Sequence, residues 1–186
     1  MAQRYPQLQT SDFTLRQKEV ADAIQSGPRG GGLRGPFNAL LRAPELCDLV
    51  QRVGAYVRYG SSIPAALNEL AICMAGRKWT AQYEFYAHRT LAIDAGLNPA
   101  ILDAVANGTT PAGMSADETI VYNFVTALLS NGSVPDAQYQ PAVDRFGENG
   151  VMDLVGAVGY YTIVSMVLNV ADVQLPDGEP KPLKPL

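Results

Sequence analysis

Apolar residues recur along most of this chain at helical spacing, and no stretch shows the apolar–polar alternation of a strand. Thr14 with Gln17 forms a capping box for a first helix that ends near Ser26. A second helix is expected from Pro44 to about Tyr59, with Leu46, Leu49, Val50 and Val53 as its apolar stripe. Two consecutive helices follow, from about Pro64 to Arg77 and from about Ala81 to Asp94. Ser62 is placed to cap the first, and Gly96 to end the second. A short helix spans Asn98 to Asn107, with Pro99 in its first turn. Ser115 and Glu118 make a second capping box. It opens a helix to about Ser130 that carries Ile120, Tyr122, Phe124, Val125 and Leu128. After the Asn131-Gly132 turn come a helix from Pro135 to Phe146 and a last one from Asn149 or Gly150 to about Val170. Residues 1–13 read as an extended arm, and 175–186 as a proline-rich tail that cannot continue a helix. The prediction is an all-α protein, one domain over residues 1–186.

Polar residues interrupt this pattern most pointedly between Leu67 and Gly96. The stretch holds the only histidine, His88, the only tryptophan, Trp79, and one of two cysteines, Cys73. Residues four apart share a helix face. Glu69, Cys73 and Arg77 therefore line up on one helix, and Glu84 and His88 on the next. Leu67, Leu70, Ala71 and Met74 cover the other faces of the first. A carboxylate beside an imidazole raises its pKa, orients its ring and can shuttle protons with it. A carboxylate among apolar neighbours, as Glu69 is, needs a cationic partner or takes up a proton; Arg58 and Arg77 are the partners at hand. The alternative is that His88 is a hydrogen-bonded structural residue and Glu69 half of a structural ion pair. A short turn at Lys78–Thr80 would make the two helices antiparallel. Counting turns back from it sets Glu69 opposite His88 and Arg77 opposite Glu84. Two glutamates and one histidine could also ligate iron, manganese or zinc, yet a single histidine excludes a histidine-rich site, and no metal or cofactor is expected.

Residues 27–38, GPRGGGLRGPFN, allow tight turns and close backbone approach. A flexible linker is one reading. The other is an ordered loop whose Arg29, Arg34 and Asn38 face an anionic ligand.

Glu69, the run Tyr83-Glu84-Phe85-x-x-His88, Ala92 and Ala95-Gly96-Leu97 together resemble the signature of the carboxymuconolactone decarboxylase family, which includes the alkylhydroperoxidase D-like proteins. The resemblance extends through Gly35-Pro36-Phe37-Asn38, Arg58-Tyr59-Gly60 and Gly159-Tyr160-Tyr161-Thr162, and covers most of residues 30–175. It implies a helical homo-oligomer, a trimer or hexamer, built around the central hairpin. In the peroxidase branch a Cys-x-x-Cys pair ends four residues before the histidine. Those places are Ala81 and Glu84 here, so neither the attacking nor the resolving thiol is present, and Cys73 reads as a buried thiol. The decarboxylase branch needs no cofactor. Loss of carbon dioxide leaves a dienolate, so the site needs cations for the carboxylates and an acid to protonate carbon. Taken with the resemblance, Glu69, Glu84 and His88 are the expected catalytic residues, and Arg34, Asn38, Arg58, Arg77 and Tyr83 are expected to bind a small anionic, lactone-like substrate. An alkylhydroperoxidase-like enzyme acting through Cys73 and a non-catalytic oligomeric binding protein are the rival readings.

Composition narrows the partners. In 186 residues, apolar types make up 47% and charged types 17%, which suits one globular domain with a sizeable core and some surface covered in an oligomer. The net charge of −4 and the lack of any Lys/Arg run argue against nucleic acid. The segment MAQRYPQLQTSDF lacks the apolar run of a signal peptide. Val151 to Val173 is broken by Asp153, Gly156, Gly159 and Asn169, as in a buried core helix rather than a membrane span. A cytoplasmic protein is expected, and two distant cysteines suit a reducing compartment.

Overall fold

A helix with apolar residues on every face must be surrounded, and the centre of this protein is such a helix. In the computed structural model, which describes residues 4–28 and 32–185, α4 (Ala65–Lys78) is buried at every position from Leu67 to Arg77. It packs against α5 (Gln82–Asp94), α6 (Pro99–Ala106), α7 (Ala116–Asn131) and α8 (Asp136–Ala171). α1 (Leu15–Ser26), the single turn α2 (Phe37–Leu40) and α3 (Pro44–Tyr59) complete the set. The described residues form eight helices and no strand, so the all-α expectation holds. A short 3-10 turn at Thr10–Asp12 and α2 were not foreseen.

α4 divides two apolar clusters. Leu70, Ala71, Cys73 and Met74 join Phe85, Leu102, Phe124 and Leu154 on one side. Ile72 and Ala75 join Leu41, Val57, Tyr161 and Val164 on the other. Each fully buried Leu or Phe contributes roughly 1.5–3 kcal/mol, so the seam between the clusters is held firmly.

Helix ends follow the local chemistry closely. Both capping boxes, Thr14 with Gln17 and Ser115 with Glu118, form in full. Asn98 caps α6 through its side chain to the Ala100 amide. Ser62 does not cap α4: Pro64 holds that position without a side-chain bond. The Ser62 amide and hydroxyl instead donate to Asp153 Oδ2, both at 2.7 Å. Tyr56 donates to Oδ1 at 2.8 Å, and Asn149 to Oδ2 at 3.2 Å. Asp153 thus ties the α3–α4 connection to α8. The two helices expected at the C-terminal end are both present and follow one another directly, α8 being divided between them at Gly147, where φ is 69° and ψ 173°. α8 is the one described helix long and apolar enough in composition to cross a membrane, and 56% of its most apolar window is buried within the fold.

Both terminal segments are fastened down. Asn38 accepts from the Leu8 amide at 3.0 Å and donates to Tyr5 O at 3.0 Å. The proline-rich tail buries Leu183 and is bracketed by Gln82, which donates to Leu183 O and accepts from its amide.

The α3 stripe is corrected by the structure. Val50 faces the core with Cys47 and Val57, but Leu46, Leu49 and Val53 are 52%, 62% and 49% exposed. Positions 46, 49, 53 and 56 form one face and 47, 50, 54 and 57 the next, and only the second can meet this chain's own core. α8, packed beside α3, carries a matching outward row of Met152, Val155, Ile163, Met166 and Val170.

Asp153→Ala leaves the Ser62 and Tyr56 donors without their buried acceptor. It is expected to lower the unfolding free energy by about 2–4 kcal/mol in urea titration. A loss below about 0.5 kcal/mol would show that Asp153 does not clamp α8 to the α3–α4 connection.

Candidate active site

Glu69 of α4 and Glu84 and His88 of α5 meet at the seam between the two clusters. All are buried, at 8%, 3% and 7% exposure. The hairpin brings them together because α5 passes close to α4: a Cβ built on Gly76 would stand 3.5 Å from Glu84 Cγ and from the Phe85 amide nitrogen. His88 Nδ1 lies 2.6 Å from Glu69 Oε2. Its Nε2 lies 3.0 Å from Glu84 Oε1. The second approach lacks hydrogen-bond alignment, so charge holds it, and Glu84 Oε1 is left with no hydrogen-bond partner.

An imidazole that faces a carboxylate at each nitrogen can donate to both only when protonated. Burial alone would push its pKa down. The charge of Glu84 and the contacts with both carboxylates outweigh burial and hold His88 up at about 9. His88 is therefore held as the imidazolium near neutral pH, with a glutamate at each nitrogen.

A cavity of about 250 Å³ opens onto it. Its walls include Gly32, Arg34, Gly35 and Phe37 from the glycine-rich stretch, Arg58 from α3, Tyr83, Glu84 and His88 from α5, and Tyr160 and Tyr161 from α8. Gly35 adopts φ 60°, and a Cβ there would sit 3.2 Å from Tyr83 Cε1. Both the left-handed conformation and the close approach require glycine, and they seat the loop over the pocket. Arg34 and Arg58 form no ion pair among the described residues, unlike Arg16, Arg52, Arg89 and Arg145. They give the cavity a cationic wall.

The expected Glu69–His88 pair is thus present, and Arg34, Arg58, Tyr83, Glu84 and His88 share one cavity. Glu69 backs the imidazole from behind. Two expected residues stand elsewhere. Arg77 does not meet Glu84; it donates to Lys184 O at 2.8 Å, under the C-terminal tail. Steps of four drift by about 40° each on a helix of 3.6 residues per turn. Arg77 has therefore rotated about 80° from Glu69, whereas Gly76, seven residues on, returns to within about 20°. Asn38 holds the N-terminal arm rather than the cavity. Arg29 lies outside the described residues.

Tyr161 was not among the expected site residues. It is 2% exposed, its ring meets His88 edge-on at 4.7 Å, and its hydroxyl has no hydrogen-bond partner. The available signal was the Tyr160-Tyr161 pair inside the most apolar run of the chain.

Cys73 is fully buried next to the cluster. Burial, with the charges of Glu69 and Glu84, drives its thiol well above the usual range. Cys47 is likewise buried, and both are free thiols.

Searches against protein-family models and against curated proteins return no match for this chain.

Because His88 has a folded pKa near 9 against an ordinary 6.5, its protonation stabilises the fold. That contribution is complete below about pH 6.5 and is lost as pH rises through about 9. The groups around it, Glu69, Glu84, Cys73, Arg58 and Tyr161, are common to the native protein and to His88→Gln. Unfolding free energy measured from pH 6 to 9 should therefore fall in the native protein and stay nearly flat in His88→Gln. Parallel pH profiles would mean that His88 is not held as the imidazolium.

Proposed function

We propose that this chain is a carboxymuconolactone decarboxylase-like enzyme that carries out cofactor-independent proton transfer and decarboxylation on a small, anionic, cyclic substrate. The observation that carries the reading is the buried Glu69–His88–Glu84 cluster opening onto a cavity with the unpaired Arg34 and Arg58 in its wall. Arginine binds carboxylates in a fork that also orients them. The substrate's carboxylates sit on Arg34 and Arg58, and its ring lies against Tyr83, Tyr160 and Tyr161. When the carbon–carboxylate bond breaks, its electron pair enters a dienolate and carbon dioxide departs. A proton carried by the His88–Glu84 pair is then delivered to carbon, the imidazole takes a replacement from water, and Glu69 holds the ring in place. Burial suits this chemistry, since charge that disperses in the transition state is favoured where water is excluded.

A thiol route fits less well. A nucleophilic cysteine needs an exposed thiolate, and Cys73 is buried beside two carboxylates with its pKa driven up.

The test is carbon dioxide release from a panel of carboxylated lactones and β-keto acids. The native enzyme should turn over a member of this class. His88→Gln and Glu84→Gln should each lower kcat by about 10²- to 10⁴-fold, while Cys47→Ser/Cys73→Ser stays within about tenfold of native. Full turnover by His88→Gln would remove the proton-handling role. Tight binding of panel members with no turnover would favour the non-catalytic binding protein.

We further propose a homo-oligomer, a trimer or hexamer, assembled through the outward apolar rows of α3 and α8. Supporting it are Leu46, Leu49, Val53, Met152, Val155, Ile163, Met166 and Val170, all of them at least partly solvent-exposed in the single chain. Rows of this kind mark association surfaces. Light scattering at micromolar concentration should give a multiple of 19.9 kDa, and Leu49→Lys with Met166→Lys should reduce it; a clean native monomer would refute assembly.

A further inference from the structure

Two buried polar atoms in the cavity wall have no hydrogen-bond partner, and they are of opposite kinds. The Tyr161 hydroxyl is a donor with nothing to donate to, and Glu84 Oε1 is an acceptor with no aligned donor. Both residues line the same cavity. A buried polar atom left unpaired costs free energy, and a guest in the cavity that these two residues line can supply a missing partner. A carbonyl oxygen supplies the acceptor that the Tyr161 hydroxyl lacks, while Glu84 Oε1 stays beside His88 Nε2 at 3.0 Å.

We propose that Tyr161 is the oxyanion donor of this pocket, hydrogen-bonding the substrate oxygen on which negative charge accumulates while Glu84 and His88 manage the proton. The assignment rests on the decarboxylase-like reading and adds to it a residue on α8 and a role. The electron pair released from the breaking carbon–carbon bond becomes the new carbon–carbon double bond. The carbonyl π pair moves onto oxygen, and there the Tyr161 O–H donates without giving up its proton. Burial and the charge of Glu84 drive the Tyr161 pKa well above the ordinary 10, so the hydroxyl stays a donor throughout the working range. The edge contact between the Tyr161 ring and His88, at 4.7 Å and 73°, fixes the phenol directly beside the proton-handling pair. Arg34 and Arg58 are free to hold carboxylates in this scheme, so the anionic tail and the developing oxyanion have separate partners.

The probe is 4-hydroxy-3-nitrobenzoate. Its carboxylate suits the arginines, and its nitrophenolate oxygen stands in for the enolate and reports its own ionisation by absorbance. Benzoate is the reference ligand that lacks this oxygen. Both are titrated into the full-length protein and into Tyr161→Phe. Native protein should bind the nitrophenol as its phenolate with a lowered pKa. Tyr161→Phe should weaken phenolate binding at least about tenfold, the size of one hydrogen bond to a charged acceptor, and raise the bound phenol's pKa. Benzoate affinity should be unchanged, and the melting temperature unchanged or higher, because the lost hydroxyl had no partner. Equal phenolate binding by both proteins would overturn the role of Tyr161 and leave the anionic pocket standing. A lower melting temperature with both ligands weakened alike would assign Tyr161 to structure and overturn the proposal. Failure of native protein to bind either ligand would defeat the pocket reading itself, and this proposal with it.

Discussion

The His88 imidazolium between Glu69 and Glu84 is the constraint that the rest of the structure answers. Three ionic groups are withdrawn from water at one point, and each loses several kcal/mol of solvation. Their two attractions at 2.6 and 3.0 Å are each worth about 6 kcal/mol at an effective dielectric of about 20, and the repulsion between the carboxylates offsets part of that. The sum is close to break-even, so the cluster is a poor way to hold a fold together. Apolar residues of equal volume would serve the core as well or better. What the cluster supplies is a proton held beside a cavity.

Keeping the cluster dry requires a centre helix covered on all sides. α4 meets this demand by presenting apolar residues to both clusters, with Glu69 at the seam. Gly76 lets α5 come close enough for Glu84 and His88 to share the seam. The remaining openings are closed by segments of low regularity: Gly32 to Phe37 over the cavity, and Leu183 with Lys184 over the α4–α5 turn. Chain that would be loose by composition is ordered because a buried charge lies beneath it.

Features carried by short-range rules were legible in the sequence. Both capping boxes, the bounds of α3 and the Glu69–His88 pairing follow from spacing within one helix or one hairpin. Features set by distant parts of the chain were not. Ser62 has every local reason to cap α4, but a buried carboxylate 91 residues away competes for it. Asn38 and Arg77 look like ligand-binding residues by type, and each is used up by a terminal segment. Arg77 also shows where helical counting fails, because rows of four drift while steps of seven do not. Tyr161 was missed because a tyrosine within an apolar run looks like core, and only its unpartnered hydroxyl separates it from one.

α8 joins the two questions this protein raises. One face lends Tyr160, Tyr161 and Val164 to the cavity. Another carries Met152, Val155, Ile163, Met166 and Val170 outward. Between them Asp153 fixes the helix to the α3–α4 connection through Tyr56 and Ser62. A close-packed helix moves as a unit rather than yielding residue by residue. The outer row therefore belongs to the same rigid element that positions Tyr161 against His88. The outward apolar row and the cavity wall are carried by one helix segment, and the break at Gly147 lies before it.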